Sequence, residues 1–109
     1  MPRRSIHVKE PAPSTLARYG LSLKEWKALY WRFDGNCHCC GAKPSRLVID
    51  HEHASGWNRM EDAERKRYIR GLCCTTCNHY VLTRYADAER HRKAAEYLDR
   101  YAASKVSAP

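Results

Sequence analysis

At 109 residues the chain is sized for one small domain whose apolar core alone gives marginal stability, so a metal or a partner chain is expected to supplement it. Twenty Lys and Arg against twelve Asp and Glu give a formal charge of +8, which favours a polyanion such as nucleic acid, or an acidic membrane surface. The opening MPRRSIHVKE lacks the apolar core of a signal peptide, and the longest aliphatic run, Leu47 to Ile49, is far too short to span a bilayer; a cytoplasmic chain is expected, whose six cysteines bind metal rather than pair as disulfides.

Residues 1–14 hold three of the five prolines and three Lys or Arg residues with no hydrophobic period, and read as a flexible basic arm. Order is expected to begin near Leu16, in a single domain over 15–104. The stretch LSLKEWKALYWRFDGNC then carries a helix start: Ser22 caps, Glu25 closes a Ser-x-x-Glu box, and Leu21 can staple onto Trp26. Trp26, Leu29, Tyr30 and Phe33 share one face of that helix, and Gly35 is placed to end it.

Residues 45–51 read as a strand and Ile69 to Leu72 as its return strand. Between them the basic segment 56–68 is longer than a hairpin turn needs, and is expected to be an inserted loop or short helix. A further helix should start near Thr75 or Thr76 and run past Leu82. The last helix is expected over 87–103, with Glu89–Lys93 and Glu96–Arg100 pairs one turn apart and an apolar face of Ala88, His91, Ala95, Leu98 and Ala102; 105–109 is a tail. These elements make a small, mainly helical α+β domain.

Cys37-x-x-Cys40 and Cys74-x-x-Cys77 are two thiolate pairs with the spacing of zinc knuckles. Four sulfurs about 2.3 Å from one Zn²⁺ make a closed, structural site that folds the protein and does no chemistry. Cys39 and Cys73 are left over, and His38 and His79 are lesser alternatives as ligands. A redox Cys-x-x-Cys is the rival reading, which two matched pairs disfavour.

The strand LVIDHEH ends in Asp50, His51 and His53, and Asn78 directly follows the second cysteine pair. Alternation along a strand would point both histidines one way and Asp50 the other, although that alternation can relax near a strand end. An aspartate and an asparagine offer oxygen ligands to a hard cation such as Mg²⁺, and a neutral histidine beside them can deprotonate water. Phosphodiester hydrolysis needs both functions.

Taken together, CHCCG, IDHEH and RGLCCTTCN resemble the recombination endonuclease VII family of phage nucleases, within the larger HNH or His-Me finger group. The likeness runs from about Tyr19 to Leu82. It implies a ββα-metal core with a structural four-cysteine zinc, Asp50 and Asn78 holding a catalytic Mg²⁺ or Mn²⁺, His51 as general base, and His53 as a phosphate or transition-state contact. It further implies an endonuclease for branched DNA such as four-way junctions, often acting as a homodimer and leaving a 5′-phosphate. Val81 stands where some members carry an acidic residue, so no third protein ligand is assigned. A long dimerising C-terminal domain is not expected in this chain, so selectivity for branches has less support than cleavage. The alternatives are an HNH nicking nuclease without junction preference and a catalytically inactive zinc-stabilised DNA-binding module.

Arg59, Arg65, Lys66, Arg67 and Arg70 lie between the strands in sequence and are expected to grip the DNA backbone rather than read bases. Trp57 is expected to cover the zinc module, with stacking on DNA as the alternative. Arg84, Arg90, Arg92, Lys93 and Arg100 extend the basic surface along a last helix whose other face is available to Trp26, Leu29 and Phe33.

Overall fold

The computed structural model describes residues 5–83 and 86–107. In chain order they form α1 (Pro13–Tyr19), α2 (Leu23–Arg32), β1 (Val48–His51), a 3-10 turn (Trp57–Arg59), α3 (Asp62–Lys66), β2 (Ile69–Cys73), a π turn (Cys77–Val81) and α4 (Ala88–Ser107). The two strands pair antiparallel as one sheet, giving a small mixed α+β arrangement.

Local chemistry accounts for α2. The Glu25 amide donates to Ser22 Oγ at 3.1 Å and the Ser22 amide donates to Glu25 Oε1 at 2.8 Å, so two orphan N–H groups of the first turn are satisfied reciprocally. Trp26 and Tyr30, one turn apart, are buried and form the core with Val8, Leu16, Leu47, Ile49 and Leu72. Phe33 falls outside it: the helix ends at Arg32, and the ring instead lies tilted against His38 with centroids 4.4 Å apart. Gly35, at φ 79°, takes the left-handed conformation that stops the helix, and its amide donates to the Tyr30 carbonyl at 2.9 Å.

The N-terminal segment departs from the expected free arm. Val8 is buried, the Tyr30 hydroxyl accepts from the His7 amide at 3.1 Å, and the same oxygen pairs with His7 Nδ1 at 2.6 Å. Pro13 then opens α1, a position where its missing N–H costs nothing. Order therefore starts well before Leu16, because Ile6 and Val8 anchor the segment without needing any periodic pattern. Residues 1–4 lie outside the described residues.

In the sheet, Val48 faces Cys73, Ile49 faces Leu72, Asp50 faces Gly71 and His51 faces Ile69. Arg70 is thus the extra residue of a β-bulge, and the ladder resumes beyond it where the Glu52 amide donates to the Tyr68 carbonyl at 2.8 Å. The segment between the strands folds as the 3-10 turn and α3, within the expected insertion at 56–68.

Two helix expectations need correction. The helix after β2 does not run past Leu82: it widens into the π turn, with the Leu82 amide donating five residues back to the Cys77 carbonyl at 2.7 Å. Tyr80 and Val81 are exposed there, so no packing sustains a longer helix. The last helix continues to Ser107, into the expected tail, with 108–109 outside the described residues. Every side chain described on α4 is exposed, so it does not cover Trp26, Leu29 or Phe33; α1, the N-terminal segment and the sheet supply the core contacts instead.

Replacing Tyr30 by Phe keeps the core volume and deletes only the hydroxyl that ties His7. Stability in a denaturant titration should fall by about 1 kcal/mol, with faster amide exchange over Ser5–Val8 and zinc retained. Unchanged exchange there would show that the hydroxyl does not hold the segment.

Candidate active site and its zinc centre

Cys37, Cys40, Cys74 and Cys77 bring one Sγ each to within 4.8 Å of one another. Four sulfurs around one zinc would form a tetrahedron with edges of about 3.8 Å. The Cys40 and Cys74 sulfurs, 4.0 Å apart, are already close to that spacing. Backbone amides complete each knuckle: those of Cys39, Cys40 and Cys74 donate to Cys37 Sγ at 3.4, 3.4 and 3.3 Å, and that of Cys77 donates to Cys74 Sγ at 3.4 Å.

The electrostatics agree. Burial would raise the Cys37 thiol, but the amides of Cys40, Cys74 and Cys39 outweigh it and hold its pKa down to about 6. Cys77 is pushed up by burial and by sharing its proton with Cys74, Cys40, Cys39 and Cys37. A central cation removes the reason for that proton to stay, so the donor set fits a structural zinc with no open position. Cys39 is exposed outside the group, and Cys73 is buried outside it, its thiol raised to about 12 by burial and then by Asp50 and Cys37. Neither histidine joins the group: His38 Nε2 bonds the Leu29 carbonyl at 3.1 Å, and His79 meets the exposed Tyr80 ring edge to face.

The first knuckle is docked directly on β2. The His38 amide donates to the Leu72 carbonyl at 2.9 Å, and the His38 ring lies so close to Gly71 that a Cβ there would collide with Nδ1. The consecutive Arg70, Gly71 and Leu72 therefore have three separate jobs: pairing with Asp50, admitting the His38 ring, and filling the core.

Asp50 is 3% exposed. Its Oδ2 accepts from Arg70 Nε at 2.8 Å and its Oδ1 from Arg70 Nη2 at 3.1 Å, a two-pronged charged pair. In a regular ladder Arg70, one residue from the Asp50 partner Gly71, would project to the opposite face; the bulge turns it to the carboxylate.

His51 is half-buried in a ring of aromatic groups, with centroids 4.7 Å from Trp57, 5.0 Å from His53 and 5.2 Å from Tyr19. Burial depresses its pKa below the ordinary histidine value, His53 and Arg70 depress it further, and Asp50 opposes them. Beside it lies a cavity of about 370 Å³ lined by His51, His53, Ala54, Ser55 and Trp57. Trp57 thus packs on the histidine and not over the zinc module as expected.

Asn78, in the π turn, lines a second cavity of about 650 Å³ together with Tyr19, Trp26, Val48 and Ile49. Tyr19 borders both places, touching His51 and lining the Asn78 cavity. So Asp50, His51 and His53 lie together at one strand end, whereas Asn78 lines a different cavity, shared with Val48 and Ile49 but not with Asp50 or His51.

The basic residues divide into two groups. Arg65 donates to the Trp57 and Asn58 carbonyls at 3.1 and 3.3 Å and lies over the Trp57 ring, Lys66 pairs with Glu25 at 3.0 Å, and Arg70 pairs with Asp50. Arg59 and Arg67 are exposed and carry no ion pair among the described residues. Arg84 lies outside the described residues, while Arg90, Arg92, Lys93 and Arg100 are exposed along α4.

A profile of the family described as recombination endonuclease VII matches residues 13–100. The chain belongs to the recombination endonuclease VII family. Two phage relatives agree in sequence: the Gene 59 protein of Mycobacterium phage D29 is 35% identical over 95 residues, covering 84% of this chain and 51% of that protein. The Gene 59 protein of Mycobacterium phage L5 is 36% identical over 87 residues, covering 76% of this chain and 46% of that protein. The chain spans about half the length of these curated relatives. No solved structure matches it. No helix among the described residues of this recombination endonuclease VII family member is long and apolar enough to cross a membrane.

Chelating zinc should abolish the near-UV circular dichroism of the core aromatics, since a bound structural zinc contributes on the order of 10 kcal/mol to folding in comparable small peptides. Full retention of that signal would remove the metal from the folding account. In the zinc-loaded protein, Gly71→Ala should cost about 1–3 kcal/mol by displacing the His38 ring, read as a lower melting temperature.

Proposed function

We propose that this chain is a divalent-metal-dependent endodeoxyribonuclease of the HNH or His-Me finger kind, acting on branched DNA such as four-way junctions. The observation that carries the reading is His51: a half-buried imidazole with a depressed pKa, next to a buried carboxylate and open to a cavity, in a chain of an endonuclease family. In this reading β1, β2 and the zinc-held helical turns at 75–81 correspond to the two strands and helix of a ββα-metal core.

His51, being neutral, accepts the proton of an attacking water with an imidazole nitrogen. The new P–O bond forms as the bond to the 3′ oxygen breaks, leaving a 5′-phosphate. Asp50 and Asn78 offer the oxygen donors that would hold Mg²⁺ or Mn²⁺. When bound, such an ion supplies positive charge against the phosphate and the leaving oxygen. His53, exposed at the same cavity, contacts the phosphate. Trp57 and Tyr19 hold the His51 ring in place and keep bulk water from one side of it.

Arg59 and Arg67 are the side chains in the inserted segment ready to meet DNA phosphates; Arg65, Lys66 and Arg70 do so only by leaving partners within the protein. Such contacts position a duplex without reading its bases. Resolution of a junction needs two coordinated active sites, so the proposal includes a homodimer, working in the cytoplasm of the phage host.

End-labelled four-way junction and matched linear duplex, incubated with zinc-loaded protein with and without Mg²⁺, test the reading. Paired metal-dependent cuts in the junction arms, lost in His51→Ala, are expected. Equal nicking of both substrates would leave a nuclease without branch selectivity, and binding without cleavage would leave a DNA-binding module. The rate should depend on neutral imidazole: it rises with pH through a midpoint below about 6.5 and is flat above. A midpoint clearly above 6.5, with chemistry rate-limiting, would count against His51 as the base.

A further inference from the structure

We propose that Arg70 is a latch on the ion site: in the DNA-free protein it occupies Asp50, and it exchanges that carboxylate for a substrate phosphate as the divalent ion binds. The proposal rests on the reading of Asp50 as an ion ligand. It assigns Arg70 a role in coupling ion and DNA binding that an ordinary backbone contact would not have.

The geometry shows a group poised to exchange. Both Asp50 oxygens accept from one guanidinium, through Nε at 2.8 Å and Nη2 at 3.1 Å. The Asp50 side chain is 4% exposed while that of Arg70 is 37% exposed, so one end of the pair is buried and the other faces solvent. Arg70 sits at the bulge, where the ladder does not constrain it as a paired residue.

The charges then dictate the coupling. A guanidinium cannot leave by losing its proton, so while it remains it repels a cation at the same carboxylate and occupies lone pairs that the cation needs. Departure of Arg70 alone would strand a buried carboxylate, which is costly. Arrival of a divalent ion on Asp50 and of a phosphate on Arg70 leaves every charge partnered, and phosphate accepts the same two-pronged bond. Ion and DNA therefore strengthen each other's binding, reciprocally.

The test is a Mn²⁺ titration of the zinc-loaded full chain, free Mn²⁺ being followed by electron paramagnetic resonance. The parent protein, Arg70→Gln, Arg70→Lys and Asp50→Asn are compared without DNA, and the first two again with duplex in a His51→Ala background that prevents cutting. Without DNA, Arg70→Gln should bind Mn²⁺ about tenfold or more tightly than the parent, because a neighbouring positive charge is gone. Arg70→Lys should fall between them, and duplex should strengthen Mn²⁺ binding more in the parent than in Arg70→Gln.

Equal or weaker Mn²⁺ binding by Arg70→Gln, with Asp50→Asn impaired, would overturn the latch and leave the ion site standing. Unimpaired Asp50→Asn would remove the ion from Asp50 and overturn both. If Arg70→Gln loses its near-UV signal, the parent protein decides: its Arg70 Nε–H resonance should shift when Mg²⁺ and duplex are added together. A resonance unmoved by both, under conditions where both bind, would end the proposal.

Discussion

Four cysteine sulfurs placed to share one zinc bring together two stretches of chain that lie far apart in sequence, beside the small hydrophobic core. The Cys37 knuckle is held to β2 through the Leu72 carbonyl and the space above Gly71. The Cys74 knuckle begins where β2 ends. The C-terminal half of one short strand is thereby held, and its partner β1 inherits a defined position through the register Ile49 to Leu72. A two-stranded ribbon is marginal in water without such support.

On that braced ribbon, two neighbouring side chains experience opposite environments. Asp50 is buried but matched by a guanidinium, so its charge is compensated by a specific partner rather than by water. His51 is enclosed by Tyr19, Trp57 and His53 and disfavoured as a cation. Environment, and not residue type alone, thus sets two adjacent ionisable groups apart. The aromatic wall also explains why the inserted segment folds as it does: Arg65 closes the 3-10 turn by bonding the Trp57 and Asn58 carbonyls, which sets Trp57 against the histidine.

The features legible from sequence are those whose partners lie nearby or whose chemistry is singular. The paired cysteines, the Ser22–Glu25 cap and the two strands belong to this kind. The features missed depend on long-range packing or on a one-residue irregularity. Nothing in a Pro-rich beginning signals that Val8 and His7 will meet Tyr30. The strand pattern places Arg70 away from Asp50, because alternation does not reveal a bulge. Trp57 and Tyr19 flank His51 only once the insertion and α1 have folded, and five basic residues counted as one DNA grip divide according to partners such as Glu25 and Asp50. An amphipathic pattern in α4 was no guarantee of burial, since a helix with few large apolar groups can be satisfied by its own backbone and by surface pairs such as Glu89–Lys93.

That last helix sets the hydrodynamic character of the molecule. A compact domain of this length has a radius of gyration of about 13 Å. The chain reaches 17.3 Å, with principal extents of 57 × 44 × 17 Å. A particle so extended diffuses slowly for its mass and leaves a sizing column early. Elution volume would therefore overstate its mass, and counting the copies in any assembly requires light scattering or sedimentation equilibrium, which weigh the particle independently of its shape.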